Sequence, residues 1–145
     1  MIERVLEPEV WAARMRTFLH ACVTSTPHEE TDRVREAASL LQCGAAAGAG
    51  AVNASAVEQL LACGAAESAV LAMLGPETVF MLSRGQGDGC LATVIAAEGG
   101  EEIVAEGATL ALALLSAYVA GLVAGAESRG HQARAAIGLP IARLH

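Results

Sequence analysis

An uncharged stretch of 19 residues, from Ala108 to Ala126, constrains this chain more than any other feature of its sequence. A helix that is apolar on every side is stable only inside a protein or inside a membrane. The sequence therefore predicts one long helix at 108–126 that another layer, of protein or of lipid, must cover.

Side-chain size distinguishes the sides of this helix. Large side chains repeat every four residues along one side, and the neighbouring side is small. Residues four apart share a helix face, so we expect the large side to pack on a sheet. The small side should pack on another backbone, that of the first helix or of a second copy. The candidate interface residues are Ala113, Ala117, Gly121 and Gly125 of the small side, with Trp11 of the first helix.

A membrane is the alternative cover for this helix, and the small side would then be a helix-pairing seam. Ala and Gly contribute little apolar transfer energy, and three predicted strands directly before the helix need its surface as cover. Glu3, Glu7 and Glu9 near the start carry the wrong charge for a secretory signal. We therefore favour a buried helix in a cytoplasmic protein over a membrane partner.

Three extended segments precede the long helix. Thr78–Ser83, Cys90–Ala97 and Glu101–Ala105 are rich in apolar and β-branched residues, and glycine-containing turns separate them. This order predicts an antiparallel meander. The first two segments are apolar at successive positions, so we expect both faces of the sheet to be covered.

The first 75 residues predict about four helices. The first begins at Pro8 and buries a stripe that repeats at helical spacing, namely Trp11, Met15, Phe18 and Cys22. A capping box over Thr26–Glu29 opens a second helix that runs to about Gln42. A second capping box at Ser55–Glu58 opens a third helix, and a fourth ends before Gly75. Two similar segments, 20 residues apart, predict helix ends at Gly44 and Gly64, and an Ala/Gly run follows the first.

Together these elements predict an α+β fold: N-terminal helices, then a three-stranded antiparallel meander covered by a long Ala/Leu-rich C-terminal helix. With 54% apolar and 17% charged residues, the chain has the composition of a folded protein. We expect a helical region at 1–75, the meander with its helix at 76–126 and a C-terminal tail at 127–145, all in one compact domain.

Charge and cysteine usage exclude several functions. Nine Arg, no Lys and a formal charge of −7 leave no basic cluster for a phosphate backbone, so we expect no nucleic-acid partner. The four cysteines include no Cys-x-x-Cys pair and predict free thiols, with no metal and no cofactor. The histidines fall in no catalytic signature, and we assign no catalytic residue.

One loop could bind a small ligand. Alternate glycines let backbone N–H groups approach a phosphate, and an Arg adds charge. The loop precedes a strand, whereas phosphate-binding motifs open a helix, so a flexible hairpin loop is the favoured interpretation. A small-ligand or enzymatic role remains the alternative. Its candidate residues are Arg84, Gly85, Gly87, Asp88 and Gly89.

The C-terminal half, about Pro76 to Val123, resembles the phage α/β/α-sandwich domain of unknown function. Two strands joined by a glycine turn, and then the run Ala105–Ala113 leading into an Ala/Leu helix, carry the resemblance. It implies a related fold and a prophage-type origin. The same element order resembles the double-stranded RNA-binding domain, but Glu106–Leu110 lacks the lysines with which that family grips phosphates.

The sequence thus favours a non-enzymatic module that associates with itself, as a dimer first of all, or with another protein. The small side of helix 108–126 and the apolar first helix are the surfaces we expect it to use.

Overall fold

The structure is a computed structural model that describes residues 7–43, 53–87, 89–95 and 101–142, with backbone alone at residue 129 and residues 131–142. Four helices come first, then three strands and one long helix, which confirms the predicted α+β fold. The helices are α1 (Pro8–Val23), α2 (Glu30–Cys43), α3 (Ala54–Ala62), α4 (Ala66–Leu74) and α5 (Leu110–Ala142), and the strands are β1 (Val79–Arg84), β2 (Cys90–Ile95) and β3 (Glu102–Gly107).

The three strands form one antiparallel sheet in the order β1-β2-β3. Met81 of β1 lies opposite Thr93 of β2, which in turn lies opposite Val104 of β3. Helix α5 packs on one face of this sheet, mainly over β2 and β3, and α1, α2 and α4 also contact α5. The long helix is therefore the central layer, between the sheet and the other helices.

Helix α1 packs as the sequence predicts. Trp11, Met15, Phe18 and Cys22 are all buried. The indole Nε1 of Trp11 donates a hydrogen bond of 2.8 Å to the carbonyl oxygen of Leu40. Because this bond joins α1 to α2, it satisfies the buried polar atom of the indole and fixes the two helices against each other.

The helix ends follow local rules, with one correction. The predicted capping box of Thr26 and Glu29 is present, before a 3₁₀ turn that leads into α2. The box predicted at Ser55 and Glu58 is wrong, because Asn53 Oδ1 caps α3 and accepts a bond of 3.0 Å from the Ala56 N–H. Asn is among the strongest N-cap residues, so it precedes Ser55 in this role.

Glycines end α3 and α4 as predicted. Gly64 and Gly75 have φ angles of 75° and 83°, in the left-handed region that favours glycine. The similar Cys43-Gly44 end, and the Ala/Gly run that follows it, lie outside the described residues except for Cys43.

Helix α5 is longer than predicted. It continues from Leu110 to Ala142, so residues 127–142 of the expected tail are helical. Ala, Arg, Gln and Glu favour a helix over this segment, and they offset Gly130 and Gly138, at about 1 kcal/mol each, and Pro140, at about 3 kcal/mol. Its apolar part, Leu110–Ser128, meets the length and composition of a membrane span, and 56% of that window is buried inside the fold.

The small residues of α5 do not all face the same neighbour. A Cβ atom placed on Gly107 of β3 would lie 2.8 Å from the Cα of Ala113, and one placed on Gly121 would lie 3.6 Å from Cγ1 of Ile103. One small row therefore faces β3, not another helix as expected. The adjacent side of α5, where Leu112 lies, faces α1, because the Cys22 thiol contacts the carbonyl oxygen of Leu112 at 3.7 Å.

Candidate interaction surface

The two faces of the sheet differ in cover. Along each strand the side chains alternate between the faces, and the register places alternate residues of the three strands side by side. The face toward α5 is buried along β2, at Cys90, Ala92 and Val94, and Gly107 is buried beside them. Helix α5 excludes water from this side.

The opposite face, which we call the open face, carries side chains that no described element covers. It consists of Val79, Met81, Ser83, Leu91, Thr93, Ile95, Glu102, Val104 and Glu106. The exposed fractions of its large apolar members are 58% for Val79, 70% for Met81, 43% for Leu91 and 59% for Val104. The expectation that both faces are covered is therefore wrong within the described chain.

Charge divides the open face into two parts. Glu102 and Glu106 lie on β3 at either side of Val104, and both are exposed. Val79 and Met81 lie on β1, where the open face carries no charge. The surface is thus apolar toward β1 and acidic along β3.

The free edge of β1 has a definite pattern of backbone groups. Gly85 donates its N–H to the carbonyl oxygen of Gly89 at 3.1 Å, just beyond the last strand pair, Arg84 with Cys90. Hydrogen-bonded pairs alternate along an antiparallel ladder, so Ser83 and Met81 bond to β2. Phe80, Leu82 and Arg84 therefore direct their N–H and C=O groups away from the sheet.

No described element pairs with this edge. Strand β1 contacts only β2 and, more weakly, α5 among the described elements. The Phe80 side chain is 38% exposed and Arg84 is exposed. Within the described chain the Arg84 guanidinium has no ion pair and no hydrogen bond. The edge therefore offers backbone donors, backbone acceptors, a ring and a cation that no described residue pairs, all in one short strand.

The interface residues chosen from the sequence lie mainly inside the fold. Trp11, Ala113 and Ala117 are buried by the chain itself, with exposed fractions of 2%, 0% and 0%. Gly121 and Gly125 are half-buried. A second chain has no access to the first three residues, since α1 and β3 already occupy the small sides of α5.

The glycine loop is an exposed hairpin connection. Gly85, Gly87 and Gly89 are exposed, and Gly87 has a φ angle of 102°, which favours glycine at this turn. Asp88 lies outside the described residues. Arg84 is the charged side chain that the described part of the loop contributes, so the ligand-binding role of this loop stays a prediction.

Two buried titratable groups lie against or on α5. Burial raises the pKa of the Cys22 thiol, and the neighbouring Ser116 hydroxyl opposes this shift more weakly. Burial also raises the pKa of Tyr118. In the described residues no three His, Cys, Asp or Glu side chains are placed to hold a metal ion. Both groups therefore lie in the buried core around α5.

An open groove of about 580 Å³ lies between α1 and α2, lined by Val10, Ala13, Phe18 and Leu40 with charged residues at its rim. One of those charges, Glu36, is paired with Arg33 of its own helix at 3.0 Å.

Comparison with protein-family models, with curated proteins and with solved structures finds no match for this chain. The resemblance to the phage α/β/α-sandwich domain and the cytoplasmic location therefore stay predictions. The proposed function therefore rests on the geometry of the surface.

Proposed function

We propose that this chain is a non-enzymatic self-associating module whose docking surface is the open face of its sheet. The exposure of Val79, Met81, Leu91 and Val104 on that face supports the proposal. Scattered exposed apolar residues are normal, whereas a contiguous apolar patch marks an interaction site.

The size of the patch is consistent with this role. Three strands of six residues cover ~14 Å by ~20 Å, or ~300 Å², from the usual strand spacing and rise. Patches of about 300–600 Å² are the largest that typical monomers expose, and they are often functional. Two such faces in contact bury an area at the small end of protein interfaces, which predicts reversible association.

The shape and charge of the surface favour a protein over a small molecule or a nucleic acid. Small ligands bind in concave sites that bury most of their surface, and a pleated sheet face is nearly flat. Nucleic acids need a basic surface, and this face carries Glu102 and Glu106. A second copy supplies another apolar centre of the same dimensions.

Sedimentation velocity tests the proposal with one charged substitution. Val104→Lys places a cation in the patch between Glu102 and Glu106, which accept it on the strand surface and so preserve the fold. We expect the wild-type chain to sediment above its monomer mass of 14.7 kDa at tens of micromolar. Val104→Lys should weaken association by about tenfold or more, because desolvation of the new ammonium at the interface costs at least ~1.4 kcal/mol.

The matched control is Leu71→Lys. Leu71 is 38% exposed on α4, a helix that contacts no described strand, so this lysine should leave the sedimentation of the protein unchanged. A wild-type chain that stays monomeric up to ~100 μM contradicts the proposal. Equal effects of both lysines would place the contact elsewhere than the open face.

A further inference from the structure

We infer that two copies of this chain join through their β1 edges, antiparallel about a two-fold axis at Leu82, to form one six-stranded sheet. This inference rests on the proposed self-association and names its partner and its register. An edge strand with unpaired backbone groups is a template for another strand unless charge, proline or a bulge blocks it. Strand β1 contains no proline and no bulge, and its one charge, Arg84, lies at its end.

The outward-facing residues fix the register. Phe80, Leu82 and Arg84 direct their backbone groups to the free edge, and they are symmetric about Leu82. Leu82 then lies opposite Leu82 of the partner subunit, and Phe80 lies opposite Arg84 of the partner subunit. Each of these directly opposed pairs exchanges two N–H to O=C hydrogen bonds, so the edge satisfies its own donors and acceptors.

The same register makes the side chains complementary. Directly opposed residues of a hydrogen-bonded antiparallel pair have Cα atoms about 5.5 Å apart and side chains on the same face. The half-exposed ring of Phe80 thus meets the guanidinium of Arg84 of the partner subunit, a cation that has no partner in the described chain. The two-fold axis makes this cation–π contact twice.

Helix α5 leaves room for the second copy. It lies mainly over β2 and β3 and touches β1 weakly, so its bulk does not stand above the β1 edge. The opposite edge of the sheet does not offer the same pairing. Glu102 and Glu106 flank Val104 on β3, and two such edges would oppose carboxylates.

Edge pairing also enlarges the surface that the proposed function uses. Two separate open faces of ~300 Å² each bury ~600 Å² in contact, below the ~1,000 Å² that a stable interface needs. A six-stranded sheet presents ~600 Å² of contiguous open face, so contact between two such sheets reaches ~1,200 Å². The β1 pairing therefore supplies the area that a single face lacks.

Disulfide trapping tests the register. Met81 would lie opposite Ser83 of the partner subunit in a non-hydrogen-bonded pair, at the short Cα separation of about 4.5 Å that suits a disulfide. Both residues are exposed, so cysteines there should not disturb the core. Cys43→Ser and Cys63→Ser first remove the two accessible native thiols. Met81→Cys with Ser83→Cys is then oxidised mildly and analysed by non-reducing electrophoresis.

In this background we expect the double cysteine variant to become mostly covalent dimer. Either single variant should stay below about a tenth of that yield, because its two thiols lie a diagonal apart. Equal cross-linking of the single variants would overturn the register. The sedimentation of the unoxidised background protein separates the remaining outcomes: association without cross-linking refutes the β1 pairing alone, and a monomer at ~100 μM refutes the proposed function and the pairing with it.

Discussion

The two edges of the sheet differ in their packing against α5 and in their charge. Strand β3 is packed tightly on α5, and its outer edge carries Glu102 and Glu106. Strand β1 touches α5 weakly, and its outer edge carries no carboxylate. Acidic side chains discourage a further strand at one edge while the other edge accepts one.

Under the proposed pairing, this asymmetry limits how far the sheet can grow. If both edges accepted a strand, the β3 edges of two β1-joined dimers could also pair and the sheet would extend without closing. In the proposed assembly only the β1 edges pair, so strand pairing joins two copies. The carboxylates of β3 oppose further growth of the sheet.

The largest effect is expected at Gly107, where β3 meets the first turn of α5. A Cβ there would lie 2.8 Å from the Cα of Ala113, a backbone atom that cannot move alone. Gly107→Ala should lower the free energy of unfolding by about 3 kcal/mol, through overpacking. Chemical denaturation measures this loss.

Gly121→Ala is the control for Gly107→Ala. Its Cβ would lie at an ordinary 3.6 Å from Ile103, and alanine gains up to ~1 kcal/mol over glycine inside a helix. Similar unfolding midpoints for the two variants would show that β3 is not fixed to α5 by the close approach at Gly107.

The second effect concerns the charge at the β3 edge. Replacement of Glu102 and Glu106 together by Thr keeps β-propensity and removes the repulsion, which is worth ~0.2–1 kcal/mol per like-charged pair. We expect association to continue beyond the assembly that the wild-type chain forms, with light scattering that rises with concentration instead of reaching a plateau. The control, Glu7→Gln with Glu67→Gln, removes the same charge at two exposed sites on the helices. A plateau unchanged from wild type would mean that charge does not protect this edge.

The third effect is the pH dependence of the free energy of unfolding, which comes from two groups packed against or on α5. Burial raises the pKa values of Cys22 and Tyr118, so these groups ionise in the unfolded chain before they ionise in the folded one. The free energy of unfolding should therefore be unaffected by them below about pH 8.5 and fall as pH rises beyond it, by at most ~1.4 kcal/mol per pH unit for each group.

Thermal melts between pH 7 and 10.5 at constant ionic strength measure this slope. Cys22→Ala should start from a lower melting temperature and show a shallower decline. If its decline equals that of the wild-type chain, the thiol is not the group responsible.

The sequence predicts those parts of the fold that depend on local pattern. The stripe of Trp11, Met15 and Phe18 places α1, and glycines end α3 and α4, because helix periodicity and glycine conformation act over a few residues. The predicted C-terminal end of α5, at residue 126, was wrong for a related reason. The uncharged stretch ends at Ala126, so a tail was predicted from residue 127, but charged residues do not stop a helix.

The candidate site depends on which strands pair and which faces of the sheet are covered. These are contacts between distant parts of the chain, which are harder to predict from a sequence. The apolar run of β1 and β2 predicted that both faces of the sheet are covered, but such a run does not say whether the second cover comes from the same chain. Arg84 was chosen as a charge in a glycine loop. Its position at a free edge follows from the ladder register, which the bond between Gly85 and Gly89 reveals.

The contact between Gly107 and the backbone of Ala113 also has a use in comparing sequences. At this crossing the strand tolerates only a hydrogen atom as side chain, and Thr109 caps the helix that follows by accepting the Leu112 N–H at 3.1 Å. A glycine and, two positions on, a threonine form a geometric fingerprint. Distantly related proteins with this fold should keep these residues even where the rest of their sequence has diverged.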